Sequence, residues 1–211
     1  MDLSQISTIS ISRFISLISV NHIELIGFAD ASQQAYGACL YIRATNNDNT
    51  IVNLLTSKSK VAPLKMTTIP KLELCAALLL SKLARCVSKV LNIPASNIHL
   101  FSDSKVILAW LRSEPYKRKL FVANRVSAIQ QAVAGVNWRY VSTKDNPADL
   151  ISRGMSPIVI KSSTLWWNAP SWLRQPMYNW PSYSIDRECN IKAKQCLVII
   201  AHPLEDNIFK F

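Results

Sequence analysis

The stretch IELIGFADASQQAYGACLYIR, residues 23–43, decides the fold. Its first part, residues 23–30 (IELIGFAD), is apolar, rich in strand formers and closed by an acid, which reads as a buried strand. Residues 35–43 (AYGACLYIR) and 50–57 (TIVNLLTS) are two more strand-like runs, and the turn formers of residues 45–49 (TNNDN) separate them. Together they predict a three-stranded antiparallel meander.

Beyond a loop with Pro63 and Pro70, residues 71–91 hold no Gly or Pro and are dominated by Leu, Ala and Lys, the composition of a helix. Residues 97–102 (NIHLFS) read as a fourth strand, and residues 103–111 as a helix that Asp103 or Ser102 caps. A strand, helix, strand order with a crossover of this length favours parallel pairing. A further helix is expected over residues 119–133, ended near Gly135, then a fifth strand over 136–141 (VNWRYV) and a last helix starting at Pro147. The expectation is an α/β fold: a five-stranded mixed sheet, antiparallel meander plus parallel strands, flanked by helices.

The domain reading is a flanking segment over residues 1–22, a folded domain over 23–154 and a Trp/Pro-rich extension over 155–211. That extension contains Trp166, Trp167, Trp172 and Trp180 of the 6 Trp, and little periodicity. It is expected to dock its aromatics onto the domain or onto a partner.

The chain has 211 residues, 49% of them hydrophobic, and a formal charge of +11. Ser, Lys or Arg interrupts every apolar run long before the roughly 20 residues that span a bilayer, so no membrane association is expected. Residues 1–20 lack the layout of a signal peptide. With five unpatterned cysteines (Cys39, Cys75, Cys86, Cys189, Cys196), this predicts an intracellular protein with reduced thiols. Cys189 and Cys196 are otherwise half of a metal site. The excess positive charge lies almost entirely in residues 1–154 and points to an anionic partner, nucleic acid first.

Acids are scarce in that part, so their positions carry information. Asp30 and Asp103 each end an apolar strand, and adjacent strands bring them side by side. Either alone also serves as a cap or turn residue. On a helical wheel with Ser81 at 0°, the polar residues Ser81, Lys82, Arg85, Ser88 and Lys89 share one face. Leu72, Leu79, Leu83 and Val90 fall near 160–200° and Glu73 near 280°. An acid turned from the charged face needs a partner, either a Lys or Arg or a metal ion. Asp149 opens the last helix, where the helix dipole favours an acid. Jointly the four make an all-oxygen set suited to two Mg²⁺ or Mn²⁺ ions about 4 Å apart, which clamp the attacking and leaving oxygens of a phosphodiester.

The ordered string of Asp30 (GFADAS), Glu73 (IPKLELCAALL), Asp103 (FSDSKVILAWL) and Asp149 (DNPADLISRG) resembles the ribonuclease H domain of retroelement polyproteins. YGACLY, LLTSKSKVAPLK, FVANRV, WRYVSTKDNPADLISRG, LWWNAPSWL and NWP resemble the BEL/Pao class of LTR retrotransposons, over residues 11–181. The resemblance implies a ribonuclease H-like fold and metal-dependent endonucleolytic cleavage of the RNA strand of an RNA–DNA hybrid. Asp30, Glu73, Asp103 and Asp149 would be the catalytic metal ligands, with Asp30 bridging both ions. It further implies a parent polyprotein with reverse transcriptase and integrase regions, of which this chain looks like a truncated copy. A cytoplasmic, particle-associated location with nuclear access follows. The loop at residues 142–146 lacks the histidine that many ribonucleases H carry there, which predicts slower turnover.

For the nucleic-acid surface, Lys117, Arg118 and Lys119 with Arg112 and Arg125 form the densest basic stretch, with Tyr116 and Trp110 available for stacking. Lys144 and Arg153 flank Asp149 and reach toward the scissile phosphate. Recognition of a hybrid is expected to rest on backbone shape and 2′-hydroxyls. A remnant that binds nucleic acid without cleaving it is the alternative. BEL/Pao segments sometimes carry a peptidase label, but neither Asp30-Ala31-Ser32 nor Asp103-Ser104-Lys105 supplies the glycine of an aspartic peptidase.

Overall fold

The computed structural model describes Ile9 and residues 22–46 and 49–181. The rest of the flanking segment before residue 22, and residues 182–211 with Cys189 and Cys196, lie outside the described residues.

Strands β1 (His22–Ala31), β2 (Ala35–Thr45) and β3 (Thr50–Val61) form the antiparallel meander. β3 runs past the expected Ser57 to Val61. The added residues include Lys58 and Lys60, exposed on an outermost strand, where lysine discourages further strand pairing. β4 (Ile98–Ser102) pairs parallel with β1 and β5 (Asn137–Tyr140) parallel with β4, giving the order β3-β2-β1-β4-β5. This mixed sheet with flanking helices is the expected ribonuclease H-like architecture.

Helices α1 (Ile69–Val90), α2 (Lys105–Arg112) and α3 (Leu120–Ala132) cover one face of the sheet. Gly27 lets α1 lie close to β1, since a Cβ there would meet the terminal methyls of Leu80, Leu100 and Leu40 at 2.7–2.9 Å. The buried arc of α1 is broader than expected and turned. It holds Leu72, Leu74, Ala76, Ala77, Leu80, Ser81 and Ala84, with Glu73 pointing along its middle. Ser81, expected among the polar residues, is fully buried, and its hydroxyl donates to the Ala77 carbonyl one turn earlier, so burial leaves no polar atom unpaired. Val90, expected on the apolar side, is 75% exposed. The cap of α2 is Ser104, whose Oγ accepts from the Ile107 N–H, rather than Ser102 or Asp103. Asp103 is thereby left clear of the helix.

The other face is covered by α4 (Ala148–Arg153), α5 (Pro157–Ser162), α6 (Thr164–Asn168) and the 3-10 turns at Ser171–Arg174 and Met177–Asn179. Trp166, Leu173 and Trp180 are buried over Phe28, Tyr41 and Phe101. The Tyr41 hydroxyl donates to the Trp166 carbonyl at 2.7 Å. Residues 155–181 therefore dock on the sheet of this chain.

Beneath that layer lie three buried ionisable groups that the sequence did not single out together: Glu24, Arg43 and His99. Arg43 Nη1 pairs with Glu24 Oε2, its Nε donates to the Leu173 carbonyl at 2.8 Å and Nη2 to that of Gln175 at 3.2 Å. His99 Nε2 lies 3.0 Å from Glu24 Oε1, and the Trp180 ring packs on both Arg43 and His99. Burial pushes the Glu24 carboxyl up, but the bonds to His99 and Arg43 outweigh it and hold the group below the usual carboxylate range.

Removing one partner of a buried ion pair strands the other charge, at about 3–5 kcal/mol. Arg43→Met should lower the urea midpoint accordingly, and adding Glu24→Gln should recover part of the loss. Equal midpoints for Arg43→Met and the unaltered chain would disprove the clamp.

Candidate active site

The four acids come from four elements that meet at one edge of the sheet. Ala29 of β1 pairs with Ser102 of β4 in parallel register, so Asp30 and Asp103 are the next residues along neighbouring strands. Glu73 projects from the second turn of α1 and Asp149 from the first turn of α4. Gly37, the β2 partner of Asp30, admits α4 closely, since a Cβ there would meet Ile151 at 2.5 Å.

Each carboxylate is held by a neighbour. The Ser152 hydroxyl donates to Asp30 Oδ2, and the Ser32 hydroxyl in turn donates to the Ser152 carbonyl at 2.5 Å. The Ser104 hydroxyl donates to Glu73 Oε2 at 2.7 Å while capping α2. Thr143, in the 3-10 turn Thr143–Asp145, donates its hydroxyl to Asp103 Oδ2 at 2.8 Å. Arg153 Nε donates to Asp149 Oδ1 at 2.5 Å. Asn146 is fully buried and ties this loop to β1: its Nδ2 donates to the Ala29 carbonyl, and its Oδ1 accepts from the Ala148 N–H.

The electrostatics join these groups. Burial pushes Asp30 up to about 7, and the Asp103 and Asp149 charges push the same way against the Ser152 hydrogen bond. Burial, with the Asp103 charge, also raises Glu73, against the bond from Ser104. Arg153 is raised chiefly by its bond to Asp149, and it feels the charges of Asp30 and Asp103 as well.

As the side chains stand, no three acid, His or Cys groups among the described residues converge closely enough to grip one ion. The donor set nevertheless fits a hard divalent cation: all its ligands are oxygens, they repel one another, and burial and its neighbours' charges raise Asp30 to about 7.

Of the expected nucleic-acid contacts, Lys144 and Arg153 stand at this edge, in the Thr143–Asp145 turn and on α4. Arg112, Lys117, Arg118 and Lys119 lie at the end of α2 and in the link to α3. There Lys117 pairs with Glu114, and Arg118 Nε donates to Ser113 Oγ at 3.0 Å. Arg125 lies on α3 with its guanidinium over the Phe121 ring. Among the described residues none of these five is hydrogen-bonded or ion-paired to the four carboxylates. Trp110 is buried and is unavailable for stacking, whereas Tyr116 is exposed. Sequence reasoning missed Ser104, Ser152, Thr143 and Asn146. Only Ser104, a helix-cap residue type directly after Asp103, carried a local signal.

No curated protein matches this chain in sequence. Among solved structures, it is similar to the N-terminal RNase H domain of rv2228c from Mycobacterium tuberculosis, at 12% identity over 63% of this chain and 92% of that one, with a TM-score of 0.44. RNase H1 from Halobacterium salinarum matches at 11% identity, covering 60% and 89%, with a TM-score of 0.36. LC11-RNase H1, isolated from compost and solved with an RNA/DNA hybrid, matches at 14% identity, covering 61% and 91%, with a TM-score of 0.39. In sequence, residues 1–104 match the family described as Pao retrotransposon-like RNaseH-like domain. That span carries β1 to β4 and with them Asp30, Glu73 and Asp103, so the first half of this chain is similar to a Pao retrotransposon-like RNaseH-like domain.

Proposed function

We propose that this chain hydrolyses the RNA strand of RNA–DNA hybrids endonucleolytically, with two Mg²⁺ or Mn²⁺ ions held by Asp30, Glu73, Asp103 and Asp149. The observation that carries this reading is the parallel register that sets Asp30 beside Asp103, with Glu73 bonded to Ser104, the residue after Asp103, and α4, which bears Asp149, joined to Asp30 through Ser152. Divalent cations, when bound, supply an activated water and neutralise charge developing on the phosphate.

The residues of the chain do the remaining work. Ser104 and Ser152 orient Glu73 and Asp30 by hydrogen bonds, so the carboxylate oxygens are aimed before substrate arrives. Asn146 fixes the approach to α4 and so the position of Asp149. Thr143 occupies Asp103 from the loop in which many ribonucleases H carry a histidine, and Lys144 beside it offers a charge to the phosphate backbone. Arg153, 64% exposed, can leave Asp149 for a phosphate oxygen once a cation compensates the carboxylate. A place in a retrotransposon polyprotein with reverse transcriptase and integrase regions belongs to the same proposal, as does an intracellular site of action.

Purified chain incubated with labelled hybrid and Mg²⁺ or Mn²⁺ should release short RNA products, and Asp103→Asn should abolish them. Ser104→Ala and Ser152→Ala should each lower the rate about 10–100-fold, the usual cost of removing a hydrogen bond behind a ligand. Cleavage equal in the unaltered chain and Asp103→Asn would overthrow the assignment. So would a chain that retains hybrid on a gel yet never cuts it, which is the outcome of the binding-only alternative.

Asp30 also gives the metal-free protein a pH signature. Its proton is bound more tightly in the folded chain, at about 7, than the ordinary value of 3.8. Stability from this group is therefore fully present below about 4 and is lost as pH rises toward 7. Denaturant titrations with a chelator present should show this decline, and Asp30→Asn should flatten it. An unchanged slope in Asp30→Asn would assign the decline elsewhere.

A further inference from the structure

A second cationic feature lies on the helix side of the sheet, away from the stretch from Arg112 to Lys119. Tyr36 of β2, Lys60 of β3, Cys75 and Lys82 of α1 and Arg125 of α3 line an open pocket of about 120 Å³. Three elements thus bring three cations to one concavity, and among the described residues none of the three forms an ion pair. Elsewhere in the domain Arg43, Lys117 and Arg153 are each matched with an acid.

Arg125 is fixed rather than loose. Its guanidinium stacks 3.5 Å from the Phe121 ring centroid and Nη1 donates to the Phe121 carbonyl, while the buried Nε has no hydrogen-bond partner. A planar guanidinium held in place at the pocket wall is suited to a phosphate oxygen. Tyr36 lies within reach of the Arg125 charge and adds a hydroxyl donor.

The position selects the ligand. Tyr36 pairs with Ala31, the residue after Asp30, and Lys60 pairs with Tyr36 across β2 and β3. The pocket thus opens at the strand ends that carry the carboxylates. A duplex laid on those carboxylates carries a dense row of phosphates past this corner. We propose that the pocket formed by Tyr36, Lys60, Lys82 and Arg125 seats a backbone phosphate of the nucleic-acid duplex bound at the carboxylate edge, an inference that rests on the function proposed above.

The test is hybrid binding by fluorescence anisotropy, using the full chain carrying Asp103→Asn so that substrate stays intact, over a range of KCl concentrations. Lys60→Ala and Lys82→Ala should each weaken binding regardless of base sequence and reduce the slope of log affinity against log salt by about one, and the pair by about two. Lys89→Ala, on the last turn of α1 and outside the pocket, serves as the control for net charge. An unchanged slope in the double variant overturns the proposal, as does an equal change in Lys89→Ala. Inorganic phosphate is titrated separately. Phosphate binding that needs both lysines, with hybrid binding indifferent to them, overturns the proposal in favour of a free-anion site. Cleavage by the chain with Asp103 intact separates the two readings: hybrid bound through Lys60 and Lys82 but never cut would end the nuclease assignment and leave this pocket standing.

Discussion

Strand β1 is flanked by β2 on one side and β4 on the other and is covered on both faces, and nearly everything else follows from that enclosure. Leu25, Gly27 and Ala29 face α1, while Ile26 and Phe28 face the layer of aromatics, so one short strand belongs to two cores. Its charged residues are buried with it. Glu24 near the start is paired with Arg43 and lies at hydrogen-bond distance from His99. Asp30 near the end has no ion-pair partner among the described residues and is hydrogen-bonded by Ser152 amid the other acids. The same burial makes one end of the strand a structural clamp and the other a cluster of carboxylates that raise one another's affinity for protons.

That contrast separates the two groups of buried charge by chemistry. At Glu24, opposite charges and hydrogen bonds defeat desolvation and the carboxyl stays ionised. At Asp30 desolvation and like charges act in one direction and raise the carboxyl to about 7. A site arranged in this way stores repulsion that a divalent cation can relieve.

The sheet was legible because its signals are local and strong: a meander separated by turn formers, then a long Leu- and Ala-rich helix leading to a fourth strand. The acids were legible because each sits at the end of an apolar run or on an unexpected side of a helix. The hydroxyls that hold them were not. Ser152 and Thr143 meet Asp30 and Asp103 across 122 and 40 residues of chain, and nothing in the local pattern distinguishes them from solvated surface residues. Ser81 misled the helical wheel because a serine bonded to its own helix can be buried like an alanine. Trp110 misled the reading of the substrate surface because aromatic character is the same for stacking and for packing. Glu24, Arg43 and His99 escaped notice together because their meeting depends on the register of three strands.

The docking of residues 155–181 changes what counts as one foldable piece of this chain. Sequence similarity to the family covers residues 1–104, which ends between β4 and α2. A fragment cut there would lose β5 and two helices of the first face. A longer fragment ending at Gly154 would keep all five strands yet present Phe28, Tyr41 and Phe101 to water, an apolar area of the kind that drives association. Trp180, with its indole closing over Arg43 and His99, is the residue at which the aromatic face is sealed, so an expression boundary belongs beyond it.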